Sequence, residues 1–428
     1  MSKQPTKPSR DRVLLVLGAG ASIGASKYPI QSSMQEAMAK MPSGENFFRD
    51  LFWQGKTQAH GPRHLNSLSV LCPGLNDTIV RVWGLDKELE GWEPEQWTGI
   101  NIEDVFTFFD VGSSMYARGT DYQRGFRANT RALESFITTT LAVRSDGMHC
   151  EHLRHVMSYL SASDSIISFN WDTLADFTVA IWRERLETYV ELMGAKRLRI
   201  GSFLHRGVLL KLHGSLNWIV CRNKRCALHG RIRLAVRDCK LLQQMDGAYT
   251  CPGCGSHRGR PFIVPPSSQK LITPGTTLHK LWLLARAQLP FFSKLVFIGY
   301  SFPVTDFYSE WLFRQIYFIQ GKLPEIIVVN PEIMKPRSAV SRRYLRIFRG
   351  CTMHKFASLE HFRDDGLKLL EKSGSAGEQA LGSPAARTST KERSARTLAT
   401  TEPAASPNGG PAKPLLSSGQ AEGPPSVS

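Results

Sequence analysis

Three groups of residues in this chain have the types and spacing to do chemistry. The first group follows apolar runs. His213 ends the run 208–213 (VLLKLH), which is apolar except for Lys211 and the histidine itself, and the strand is expected to break at Gly214. An imidazole can take a proton near neutral pH. Asn170 and Asp172 follow the run 165–169 (SIISF) in the order Asn170-Trp171-Asp172-Thr173. Each also has a plainer reading: His213 as a packed, hydrogen-bonded core residue, and Asp172 or Thr173 as the cap of a helix beginning LADFTVAIW.

The second group is a set of thiols. Cys221 and Cys226 have four residues between them, and after 24 more residues comes Cys251-Pro-Gly-Cys254. Two such pairs are the spacing of a tetrahedral zinc site, with Pro-Gly making the tight turn. Four protein thiolates leave no open position, so the ion would be structural, contributing on the order of 10–16 kcal/mol to folding of its module. Cys239, His229 and His257 are spare candidates. The third group is Gly18-Ala19-Gly20-Ala21-Ser22-Ile23-Gly24, directly after the apolar run 13–17. A strand, a glycine turn and a helix start make a phosphate loop or simply a tight turn. The spacing GxGxxxG and the lack of an acidic residue closing a second strand disfavour a hydride-transferring dehydrogenase. Glu36 stands near the right distance but in a helical pattern, SSMQEAMAK.

These groups need a frame. Ligands of open α/β sheets bind beyond the carboxyl ends of parallel strands, where both His213 and Asn170 would stand. Further strand-like runs at 295–299, 326–330 and 352–356 alternate with helical patterns at 307–319, 336–348 and 359–372. Gly299, Ser301 and Asn330 fall at the ends of two of those runs. The expected fold is therefore α/β: a doubly wound, mostly parallel, Rossmann-like sheet, with a helical insertion at 41–164 and a small zinc-ribbon module at 219–262. In the insertion, which carries Trp53, Trp83, Trp92 and Trp97, Ile102, Val105, Phe106 and Phe109 share one helix face. Residues 1–12 read as a flexible tail and 13–372 as one discontinuous domain. Residues 373–428, without aromatics and rich in Gly, Pro, Ala, Ser and Thr, read as a disordered tail.

The 428 residues are 42% hydrophobic and 21% charged, an ordinary globular balance, and carry a formal net charge of +17. That charge admits a polyanionic partner, but Lys and Arg are scattered rather than massed. No apolar run approaches the ~20 residues of a membrane span, and the run after Lys7, Arg10 and Arg12 is too short for a signal peptide. Paired metal-like cysteines suit a reducing, cytoplasmic setting.

Taken in order, GAGAS after the first strand, SFNWD, KLHGS, the four-cysteine module behind it, IGYSF and VVNPE resemble the sirtuin family of NAD-consuming enzymes. The resemblance is closer to the sirtuin-like NAD-cleaving domains of bacterial antiphage systems, and covers residues 13–356. It implies that Gly18, Ala19, Gly20 and Ser22 line the NAD pyrophosphate and that Asn170 and Asp172 flank the nicotinamide ribose. It further implies that His213 is the catalytic histidine and that Gly299, Ser301 and Asn330 surround the adenosine half. Two segments depart from the deacylating members: ASKYPIQSS stands where they carry an arginine-containing stretch, and RPFIVPPSSQK where they place a peptide-binding strand.

The implied activity is NAD glycohydrolysis, giving nicotinamide and ADP-ribose, in bacterial antiphage defence. Nicotinamide leaves as a neutral molecule, so the barrier lies in an oxocarbenium-like ribose. Asn170 would orient a water, and His213 would accept a proton from it or from a ribose hydroxyl. Asp172 would either stabilise the developing charge or only cap its helix. The alternatives are an NAD-dependent deacylase, a non-catalytic sensor of NAD or ADP-ribose, and a nucleic-acid binder, which the resemblance disfavours. The expected companions are NAD as substrate, structural zinc, and a homo-oligomer or defence-system partner, with the insertion as a gate.

Overall fold

Five mostly apolar, buried strands and one partly exposed edge strand assemble into one parallel sheet. The computed structural model describes residues 12–27, 41–49, 68, 72–85, 97–145, 148–180, 188–189, 191–193, 199–221, 223–229, 231–234, 251, 253–255, 259–264, 276–318 and 321–371. The tails 1–11 and 373–428, together with Glu36, Trp53, Trp92, Cys239 and His257, lie outside the described residues.

The strands in chain order are β1 (Arg12–Leu17), β2 (Ser26–Lys27), β3 (Met148–His149), β4 (Ser165–Ser168), β5 (Leu209–Lys211), β6 (Gly214–Cys221), β7 (Ile232–Leu234), β8 (Gly259–Ile263), β9 (Phe292–Ile298), β10 (Glu325–Val329) and β11 (Met353–Phe356). The large sheet runs β11-β10-β9-β1-β4-β5, and every pair in it is parallel. Numbered within the sheet, that is the Rossmann order 3-2-1-4-5-6 read from β5 inward, with its reversal between β1 and β9. Arg12, expected in the tail, is the first residue of β1. All six side chains of β1 are buried, as suits a central strand covered on both faces.

The described residues between β1 and β4 are mostly helical. It contains α1 (Ala19–Ile23), α2 (Pro73–Val82), α3 (Ile102–Met115), α4 (Asp121–Ser145) and α5 (Glu151–Ser158). Asn101 caps α3 by accepting from the Glu103 N–H at 2.9 Å, and the face buried by α3 is Ile102, Val105, Phe106 and Phe109. After β4 comes α6 (Leu174–Ala180). The helices α7 (Thr277–Gln288), α8 (Phe307–Arg314) and α9 (Ala339–Ile347) precede β9, β10 and β11.

The run 208–213 does not end the local order at Gly214, as the sequence suggests. The chain turns a corner there and continues as β6, the middle strand of a three-stranded antiparallel sheet β7-β6-β8. Gly214 has φ +78°, and a Cβ on it would lie 2.2 Å from the Phe262 carbonyl oxygen, so only glycine makes this corner.

One charge pair sits inside this frame. Lys211 of β5 is fully buried, and its Nζ donates to Asp176 Oδ2 of α6 at 2.7 Å and also to the Asp172 carbonyl. Asn217 of β6 donates to the other Asp176 oxygen at 3.0 Å. Helix α6 is thus tied to both sheets by one carboxylate. Removing one member strands the other in a dry interior, so Lys211→Met should cost about 3–5 kcal/mol. Denaturant unfolding measures it; a loss below about 1 kcal/mol would show that the pair contributes little.

Candidate functional site

The reversal between β1 and β9 makes a crevice at the carboxyl edge of the sheet, and two tight turns meet there. A Cβ at Gly18 would lie 2.5 Å from Tyr300 Cα, and one at Gly20 would lie 2.7 Å from Gly299 Cα. The glycines are needed first for this backbone-to-backbone contact. The phosphate-loop reading of this segment would leave N–H groups for a pyrophosphate, whereas the tight-turn reading would use them within the fold. Gly18 N–H donates to the Ile298 carbonyl (3.0 Å), Gly20 N–H to Gly299 (2.9 Å) and Ala21 N–H to Gly18 (2.9 Å). What the loop presents outward is the surface of Ala19 and Gly20, both exposed, while Gly18 and Ser22 are buried.

Asn170, just beyond β4, faces this turn. Its Nδ2 donates to the Gly18 carbonyl at 2.8 Å and to Ser22 Oγ at 3.0 Å. The carbonyl can only accept, so the orientation of the amide is fixed by its partners. Both amide hydrogens are used, and Oδ1 is the group left to accept. Ser22 in turn donates to Asp172 Oδ2 at 2.8 Å, and Asp172 Oδ1 accepts from the Leu174 N–H at 2.9 Å. Asp172 thus meets the start of α6, as its capping reading expects. Through its other oxygen it holds Ser22, and through Ser22 it holds Asn170.

His213 belongs to a second network. It follows β5 and is 5% exposed. Its Nε2 lies 3.1 Å from Asp306 Oδ2, a carboxylate 1% exposed. The Tyr300 hydroxyl donates to the same oxygen at 2.7 Å and lies 2.6 Å from Ser309 Oγ. Burial, reinforced by the Asp306 charge, holds the Tyr300 hydroxyl well above the ordinary tyrosine range, so it stays a donor. Phe169 joins the networks: its ring stacks on Tyr300 (4.5 Å), meets His213 edge-on (4.9 Å), and precedes Asn170 in the chain.

The remaining expected positions are spread along the edge. Gly299 has φ +62° and forms the turn against Gly20. The Ser301 carbonyl accepts from Arg343 at 3.1 Å. Asn330, at the end of β10, accepts from the Glu332 N–H at 2.9 Å, a capping role. Asp306, Tyr300 and Ser309 escaped the sequence reading because Asp306 stands in PVTDFYSE, where Asp three residues before Ser looks like an ordinary helix cap. It is that as well: Asp306 caps α8 through the Ser309 N–H. The insertion reaches the same loop, since Thr305 donates to Glu103 of α3 and Phe106 packs on Trp171 at 6.3 Å.

Behind His213 lies the thiol cluster. Cys221 ends β6, and the sulfurs of Cys221, Cys226, Cys251 and Cys254 all lie within 4.8 Å of one another. The Cys221–Cys254 and Cys226–Cys251 separations are each 3.8 Å. A tetrahedron with ~2.3 Å metal–sulfur bonds has edges of about 3.8 Å, so the set can hold a zinc ion. Among the described residues these four form the only such cluster; His229 is paired through its backbone with Cys221 and is not part of it.

No protein-family model matches the chain, and a search of curated proteins finds no similar sequence.

Burial and the neighbouring thiols push Cys221 up to about 12. A metal entering the cluster must therefore displace protons, and apparent affinity should rise with pH. Zinc titration of the reduced, metal-stripped protein should saturate at one ion per chain, with tighter binding at pH 8 than at pH 6. Cys226→Ser should weaken it; unchanged stoichiometry and affinity in that variant would remove the cluster as the site.

Proposed function

We propose that this protein cleaves the nicotinamide–ribose bond of NAD, as a sirtuin-like NAD glycohydrolase. One observation carries the reading: Ala19, Gly20, Asn170 and His213 all stand at the carboxyl edge of one parallel sheet, around its point of reversal. In the reaction the C1′–N bond breaks with its electron pair going to nicotinamide. Water oxygen bonds to C1′, and the proton released goes to an acceptor on the protein. Asn170 Oδ1, held outward by the Gly18 and Ser22 contacts, is suited to orient that water. His213 is suited to take the proton, a gain of roughly 10²–10⁴-fold. Asp172 acts at one remove through Ser22. The thiol cluster is remote from these steps, and a zinc ion there would brace β6 and hence the position of His213.

One observation favours a second reading, binding without turnover: His213 is deeply buried and already bonded to Asp306. Free nicotinamide decides between the two. The wild type should release it from NAD, and Asn170→Ala and His213→Ala should each lower the rate by at least about 10²-fold. Tight NAD or ADP-ribose binding by calorimetry with no nicotinamide released would select the sensor. Full turnover by His213→Ala would end the hydrolase reading.

A further inference from the structure

A buried carboxylate beside an imidazole is the arrangement that orients a general base, and Asp306 meets each condition for it. It is fixed from several sides: Oδ1 accepts from the Ser309 N–H at 3.3 Å, and Oδ2 receives Tyr300 at 2.7 Å and faces His213 Nε2 at 3.1 Å. The turn that carries it is over-determined. Phe302 has φ +50°, a conformation costly for a bulky residue, and its ring is held among Phe297, Phe313 and Tyr344. The Tyr344 hydroxyl donates to the Tyr300 carbonyl at 2.7 Å, and Arg343 binds the Ser301 carbonyl. The imidazole is gripped as well: Phe169 packs against it in a T-shaped contact, and Val264 N–H donates to the His213 carbonyl at 2.7 Å.

We propose that Asp306 is a positioning residue for His213: its carboxylate holds the proton on Nε2 and stabilises the imidazolium once a proton is taken. This deepens the NAD-cleaving reading and rests on it for its catalytic consequence. The carboxylate is an acceptor only, so it selects the Nε2–H tautomer; an amide in its place can present a donor to the same nitrogen. When the proton from water reaches His213, the product is an ion pair with Asp306 in a dry site, where opposite charges favour the protonated ring.

The ionisable groups around the pair come from every neighbouring element. They are Tyr300 on the β9 turn, Tyr308 of α8 through Trp282, and Arg343 and Tyr344 of α9. Glu103 of α3 bears on it through Thr305, and Lys211, Asp172 and Asp176 form the next buried charges. Of these, Tyr300 donates to Asp306 directly, as a neutral hydroxyl.

The test separates the charge of Asp306 from its capping role, because Asn caps a helix as well as Asp does. Full-length wild type, Asp306→Asn and Asp306→Ala are compared, with folding checked by thermal unfolding. The His213 ring nitrogens are followed by long-range proton–nitrogen NMR across pH, assigned with His213→Gln. In Asp306→Asn the His213 midpoint should fall by about one pH unit or more. Nicotinamide release should fall on the order of 10²–10⁴-fold in kcat, with KM changed by less than about threefold. An unmoved midpoint, or full turnover in Asp306→Asn with loss only in Asp306→Ala, overturns the proposal in favour of a cap. A shifted midpoint in a protein whose wild type releases no nicotinamide removes the NAD-cleaving reading and leaves the carboxylate–imidazole coupling standing.

Discussion

The structure depends on one contact without side chains. Two backbone turns, at Gly18–Gly20 and Gly299–Tyr300, touch where the two halves of the sheet meet. The halves wind away from each other at this point, and this contact continues the β1–β9 ladder beyond the ends of the strands. Because no Cβ intervenes, the Gly18 carbonyl can take the Asn170 amide, and Tyr300 can sit under Phe169. The glycine pattern that resembles a phosphate loop is thereby explained by the protein's own packing. It also leaves Ala19 and Gly20 as an outward rim.

Polar groups below that rim are sorted into two buried networks with different work. Lys211, Asp176, Asn217 and the Asp172 carbonyl form a neutralised cluster that fixes α6 between the two sheets. Its charge is balanced inside the fold, as the cost of burying an unpaired ion requires. Asp306 is different in kind: its carboxylate receives the Tyr300 hydroxyl and the Ser309 N–H and faces the His213 imidazole. A carboxylate set against a titratable ring bears directly on the protonation of that ring.

Much of the frame was legible because it rests on uninterrupted apolar runs. Residues 13–17, 165–169 and 326–330 announce strands buried on both faces, and Ile102, Val105, Phe106 and Phe109 announce one face of α3. The thiol spacing likewise carries its own geometry. What stayed hidden lacks a local signal. The β6 strand begins at the glycine that looked like a terminator, and only the positive φ of the corner reveals that the chain passes from one sheet to another. Asp306 shows in sequence as a helix cap because it is one; its second partner, His213, is 93 positions away and visible only in three dimensions. The same holds for Lys211, which interrupts an apolar run with no hint of the carboxylate that receives it.

The corner at Gly214 makes His213 common property of the two sheets. Its strand belongs to the large sheet, its carbonyl is bonded to Val264 just after β8, and the residue after it opens the ribbon. The ribbon is therefore not a detachable ornament. A chimaera carrying a different ribbon would have to reproduce the bend and the Val264 bond, or the ring would tip away from its carboxylate. Shape changes arising at the sulfurs have a covalent route of eight residues to the imidazole, along a single strand.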